Sequence, residues 1–95
     1  MSFKINSDAL SFIKDKGFNE ITVTVTNVKG GCTGSFKEIE VKLGIPKKLE
    51  DFEKTKVDGI IIYHPKSKFI KEGEFLLTLE KMLFLKKLVL RKIKR

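Results

Sequence analysis

Ninety-five residues suffice for one domain but not for two cores, and 41% hydrophobic with 34% charged residues is the make-up of a folded domain, not of a disordered chain. A single cysteine excludes an internal disulfide, and with it the disulfide-stapled secreted class, so a reducing, cytoplasmic setting is expected. The net charge of +8 is concentrated late: residues 1–45 hold six lysines against five acids, residues 46–95 fourteen basic residues against seven acids.

The chain starts Met1-Ser2-Phe3-Lys4-Ile5-Asn6, too polar for the apolar centre of a signal peptide, and Phe3-Lys4-Ile5 reads as short and extended. Asn6 or Ser7 can cap a helix whose apolar positions, Ala9, Leu10 and Ile13, recur at helical spacing. Gly17 stops it, which predicts helix over residues 7–16. Glu20-Ile21-Thr22-Val23-Thr24-Val25-Thr26 alternates β-branched apolar and polar residues, the period of a half-buried strand. Residues 35–43 resume the alternation imperfectly, which predicts a second strand with a bulge, ended by Gly44-Ile45-Pro46. Residues 47–56 read as a polar connection with a short turn.

Val57-Asp58-Gly59 leads into a strand, Ile60-Ile61-Ile62-Tyr63, that stops at His64-Pro65. Residues 66–72 look like a loop around a buried Phe69. Residues 75–79 and 85–90 are strand-like, with residues 80–84 either a tight turn or one helical turn. No run approaches the ~18 apolar residues of a membrane span, and no membrane partner is expected. One helix followed by about five short strands predicts an α+β fold: an N-terminal helix on a small mixed or antiparallel sheet or sandwich, one domain over residues 1–95 with a basic C-terminal end.

Lys29-Gly30-Gly31-Cys32-Thr33-Gly34 places three glycines within five residues, between two strands. Glycines let successive backbone N–H groups turn toward one point, a nest that stabilises an anion such as a thiolate. Donors around Cys32, with Lys29 and Lys37 if they fold nearby, would lower the thiol pKa and make it a better nucleophile or metal ligand. The same residues also suit a plain hairpin turn with an incidental cysteine. A phosphate loop would need a Gly-x-x-x-x-Gly-Lys-Ser/Thr pattern that is not there.

The order of pieces resembles the HesB-like, A-type iron-sulfur carrier domain. The residues that carry the resemblance are the Ser7-Asp8-Ala9-Leu10-Ser11-Phe12-Ile13-Lys14 helix, the strand over residues 21–28, Gly30-Gly31-Cys32-Thr33-Gly34, Val57-Asp58-Gly59-Ile60-Ile61-Ile62-Tyr63 and Phe69-Ile70-Lys71-Glu72-Gly73. Closer still is a group of small HesB-like proteins and selenoproteins whose loop reads Gly-Gly-Cys and then a second Cys or selenocysteine; here that second position is Thr33.

The resemblance implies that Cys32 stands at the first of three cysteine positions with which A-type carriers hold iron or an iron-sulfur cluster. The other two belong to a C-terminal Cys-Gly-Cys, and this chain instead reads Leu90-Arg91-Lys92-Ile93-Lys94-Arg95. His64, the sole histidine, is the remaining ligand candidate, although beside a proline at a strand end it reads first as a solvated turn residue. In the (seleno)protein group the Cys-Cys or Cys-selenocysteine pair implies thiol redox chemistry. Thr33 removes the internal resolving partner, so a cycle here needs an external thiol.

The expected function is therefore a HesB-like thiol protein handling iron-sulfur, metal or sulfur/redox species through Cys32, with Gly30, Gly31, Thr33 and Gly34 shaping the loop and a thiol or iron-sulfur protein as partner. The alternative is a non-catalytic binding module whose basic C-terminal segment meets an anionic partner, nucleic acid or an acidic protein; the charge alone would suit anionic lipid equally, only Phe84 is there for base stacking, and the same lysines read first as the solvated face of an edge strand. A conventional enzyme is not expected: Glu38 and Glu40 read as a wet strand edge, and no Cys/His/Asp spacing recommends itself. The cluster Leu76, Leu77, Leu79, Met82, Leu83, Phe84, Leu85, Leu88, Val89 and Leu90 is expected to be core, with the excess forming a homodimer interface.

Overall fold

The computed structural model describes residues 2–29 and 35–93, without the side chains of residues 27–29, 35–37, 68, 69 and 82. β1 (Ser2–Ile5) runs directly into α1 (Ser7–Asp15). Asn6 is the cap: its Oδ1 accepts the Asp8 N–H at 2.7 Å, satisfying one of the unpaired donors at the helix start. At the other end the Phe18 N–H reaches the Ile13 carbonyl (3.1 Å) and the Gly17 N–H the Lys14 carbonyl (3.0 Å). This pair of bonds needs a left-handed residue after the helix, and Gly17 supplies it at φ 81°. Ala9 and Ile13 are the helix's buried face.

β2 (Glu20–Lys29) and β3 (Ser35–Leu43) pair antiparallel, one to one, from Ile21–Leu43 through Lys29–Ser35. No bulge interrupts the register, contrary to expectation. Phe36 is simply out of phase with Ile39, Val41 and Leu43, and the alternation of the last three sets the pairing. A 3₁₀ turn (Leu49–Asp51) then leads to β4 (Phe52–Val57), a strand where a connection was expected. β4 and β5 (Ile60–Pro65) form a hairpin closed by Asp58 at φ 52° and Gly59 at φ 84°, the two positive φ values of a twisted two-residue turn. Residues 68–71, expected as loop, form one helical turn, α2 (Lys68–Lys71); Ile70 is fully buried, and the Phe69 side chain lies outside those described.

β6 (Glu74–Met82) and β7 (Leu85–Ile93) form the last hairpin: of residues 80–84, the first three continue β6 and Leu83 and Phe84 form the tight turn. The strands assemble into two sheets, β3-β2-β5-β4 and β1-β6-β7, with parallel pairings of β2 to β5 and of β1 to β6. β3 lies against β7, and β1 touches β4. The result is a small α+β fold, mostly strand, with one helix of more than a turn and mixed sheets. The core is one cluster drawn from both sheets and α1, with Ile13, Ile21, Ile60, Ile62, Ile70, Phe75 and Leu77 fully enclosed, each contributing roughly 2 kcal/mol by burial. Phe3 stacks on Phe75 with ring centroids 5.6 Å apart, binding β1 to β6 through side chains as well as backbone.

Candidate functional site

The glycine loop is borne on a two-stranded ribbon. β2 pairs with β5 over Glu20–Thr22, so beyond Thr22 its sole strand neighbour among the described residues is β3. Val25 and Ile39, cross-strand partners, still pack against the core, whereas the next pair, Thr26 and Glu38, is exposed. Lys29 and Ser35 form the last described pair. Cys32 and its companions Gly30, Gly31, Thr33 and Gly34 lie outside the described residues, as do the side chains of Lys29 and Lys37.

His64 is not a solvated turn residue. It occupies β5 on the same face as Ile60 and Ile62, and its exposure is 0%. Nε2 lies 2.9 Å from Thr55 Oγ1 on β4, and the ring packs 5.3 Å from Phe3. Nδ1 has no hydrogen-bond partner among the described residues. Burial pushes the imidazole pKa below its ordinary value; Glu53 and the Pro65 carbonyl oppose that shift, while Lys71 adds to it. Neutral His64 is thus part of the packing between β1, β4 and β5.

His64 and the loop stand apart along the fold. The parallel register ends at Thr22–Tyr63, which sets His64 beside the level of Val23, and Lys29 is six residues further along β2, about 20 Å at strand rise. Among the described residues no group of three His, Cys, Asp or Glu side chains could hold a metal ion. With one cysteine per chain and an enclosed histidine, the donor set does not fit a resident iron-sulfur cluster, which takes four protein ligands.

Beside His64, Tyr63 turns to the other face of β5, and its hydroxyl donates to Glu20 Oε2 at 3.4 Å. Partial burial, then the Glu20 charge, raise its pKa. Thr22 Oγ1 donates to the Gly44 carbonyl at 2.8 Å, tying the end of β3 back onto β2. An open groove of about 540 Å³ is lined by Thr22 together with Thr24, Lys42, Ile45, Lys48 and Phe52.

The C-terminal segment divides. Leu77, Leu88 and Leu90 are core, as expected, and Lys86, Lys87, Arg91 and Lys92 are exposed on β7, an edge strand of its sheet. Leu83, Phe84 and Leu85, also expected in the core, are 98%, 99% and 75% exposed at the β6–β7 turn. The signal was present in the sequence: a turn was one reading of residues 80–84, and a turn faces water whatever residues fill it.

No curated protein and no solved structure matches this chain. No helix among the described residues is long and apolar enough to cross a membrane. A family model does match, over residues 1–93, nearly the whole length including Cys32 and its ribbon, and the chain belongs to the CC/Se motif containing family.

Proposed function

We propose that this protein is a small thiol protein of HesB-like type, in which Cys32 reacts transiently with a partner thiol, a sulfur species or a soft metal carried as cargo. The observation that carries the reading is membership of a family described by a Cys-Cys/Sec motif in a chain whose one cysteine stands in Gly30-Gly31-Cys32-Thr33-Gly34. Thr33 occupies the position after it, so the reaction uses one sulfur. A Cys32 thiolate attacks an external disulfide, forms a mixed disulfide and expels one thiolate; a second external thiolate then releases Cys32. The β2–β3 ribbon suits this role, because its Thr26–Glu38 pair already stands clear of the core, and a mixed disulfide with another protein must form without disturbing that core.

Alkylation rates of Cys32 across pH test the proposal. Activation requires a midpoint clearly below the ~8.5 of a free thiol. A midpoint at or above that value makes the loop a plain turn. An anaerobic optical spectrum and metal analysis of wild type and Cys32→Ser report on cargo: a chromophore lost in the variant identifies Cys32 as its ligand.

A further inference from the structure

We propose that the β6–β7 hairpin tip is a docking surface for an anionic lipid bilayer, with Leu83 and Phe84 entering the headgroup boundary and Lys81, Lys86 and Lys87 meeting lipid phosphates. The proposal uses none of the residues of the thiol loop. Three observations carry it.

First, nothing among the described residues covers the tip, since Leu83 and Phe84 are 98% and 99% exposed. Second, Leu83 holds φ 53° at the first central position of a two-residue turn, where glycine is the usual residue. A large apolar side chain is thus kept at the outermost point of the hairpin although the backbone there disfavours it. Third, the charge behind the tip is mainly positive. Lys81 and Lys86 are direct cross-strand partners, Lys87 follows, and all three are exposed. Like charges placed opposite one another repel, and an anion between them relieves the repulsion. Glu80 is the acid on this stretch; it stands directly across from Lys87, and Arg91 engages its carboxylate at 2.6 Å. Asp8 and Asp15 of α1 border the groove beside Lys81 and Lys86, but neither forms an ion pair with them among the described residues.

The dimensions agree with an interface. The Lys81–Lys86 pair sits two residues behind the turn, about 7 Å at strand rise, which is headgroup depth when the tip is inserted by the usual 5–10 Å. The absence of a spanning run, which made a membrane partner unexpected, does not bear on a tip that stops at the headgroups. A symmetric pairing of two tips would instead bring both sets of lysines together. Nucleic acid would leave Leu83 and Leu85 against a polar backbone, with Phe84 the aromatic at the tip itself and Phe12 set back in the groove beside it.

Co-sedimentation of the full chain with vesicles tests this, using phosphatidylcholine alone and with about 30% phosphatidylserine. The expected result is binding to the anionic vesicles only, declining with salt. Leu83→Ser/Phe84→Ser lowers it by about tenfold or more. Lys81→Gln/Lys86→Gln/Lys87→Gln lowers it roughly a hundredfold at low salt. The chain has no tryptophan, so Phe84→Trp adds a clean reporter whose emission shifts to the blue on those vesicles. Cys32→Ser binds like wild type, which separates this surface from the thiol reading. Because the substituted side chains are exposed, circular dichroism of each variant matches wild type. The proposal is overturned by equal binding to neutral and anionic vesicles, by binding that the tip variant retains, or by no binding at all. A dimer in sedimentation velocity that the tip variant abolishes overturns it in favour of a second copy of this chain, and a salt-sensitive gel shift without vesicle binding overturns it in favour of nucleic acid.

Discussion

Leu83→Asn should make the protein more stable, although it replaces a large apolar residue with a polar one. Ordinarily such a change within a strand pair loses burial, but Leu83 is 98% exposed and has almost none to lose. What remains is the backbone. A left-handed conformation costs an L-residue about 1–2 kcal/mol, and Leu83 sits in it at φ 53°; asparagine adopts it more readily through local hydrogen bonding. Recovering about half of that cost gives about 0.5–1 kcal/mol. For a domain of this size that corresponds to a rise in Tm of about 2–8 °C. Urea denaturation with a shared m-value, beside calorimetry, reads both quantities. Leu83→Gly is the control: it removes the strain completely but adds unfolded-state entropy, so its gain is smaller. If the asparagine variant melts at or below wild type, Leu83 is not held against its backbone preference, and the argument that the tip retains it at a cost to stability collapses.

Lowering the pH should weaken the fold through His64. Its pKa is depressed by burial, so the unfolded chain binds the proton first; stability is greatest above the unfolded value of 6.5 and is lost as pH falls from there toward the lowered folded value. His64→Gln is less stable than wild type near pH 8, and the gap between them narrows by pH 5; a gap independent of pH refutes the assignment. Gly17→Ala meets no steric obstacle, since nothing lies within 4 Å of the added carbon, yet it should cost about 1 kcal/mol because φ is 81°. Chemical denaturation measures it, and a neutral change would mean that the helix ends differently. Amide exchange along β2 should be graded, slow at Ile21 and Val23, whose side chains are fully buried, and fast at Asn27, Val28 and Lys29, beyond the last core-packed pair Val25 and Ile39; uniform protection would contradict a ribbon that outruns its sheet.

The elements easiest to read from sequence were those whose local chemistry agrees with their place in the fold. Asn6, the Ala9 and Ile13 face and Gly17 define α1, and residues 20–26 alternate because one face of β2 is buried. β4 escaped because it is an edge strand: Lys54 and Lys56 point to water, leaving too few apolar residues to register as a pattern. Asp58-Gly59 was the missed cue, a hairpin signal that demands a strand on both sides. His64 was misjudged by its neighbour Pro65, when its parity with Ile60 and Ile62 already assigned it to the buried face. The exposure of Leu83 to Leu85 was hidden for the opposite reason, since hydrophobic counting treats an apolar run as core wherever it falls. The loop residues around Cys32 carry their meaning through family membership, because glycine spacing alone is compatible with any tight turn.

β1 has one strand neighbour, β6, and meets it in parallel from Ser2–Glu74 to Ile5–Leu77, sealed by the Asn6 N–H on the Leu77 carbonyl at 2.9 Å. A chain synthesised from its N-terminus therefore makes its first strand long before that strand has anything to pair with. Bringing β1 to β6 carries the entropy of closing a long loop, a cost that the hairpins between neighbouring strands do not bear. The β2–β3 and β4–β5 hairpins, and then β6–β7, can form as they emerge, while Phe3 waits for Phe75. In the ribosome's order of events the first strand is nearly the last to find its place, and until then the apolar faces of both sheets stand open to whatever else is near.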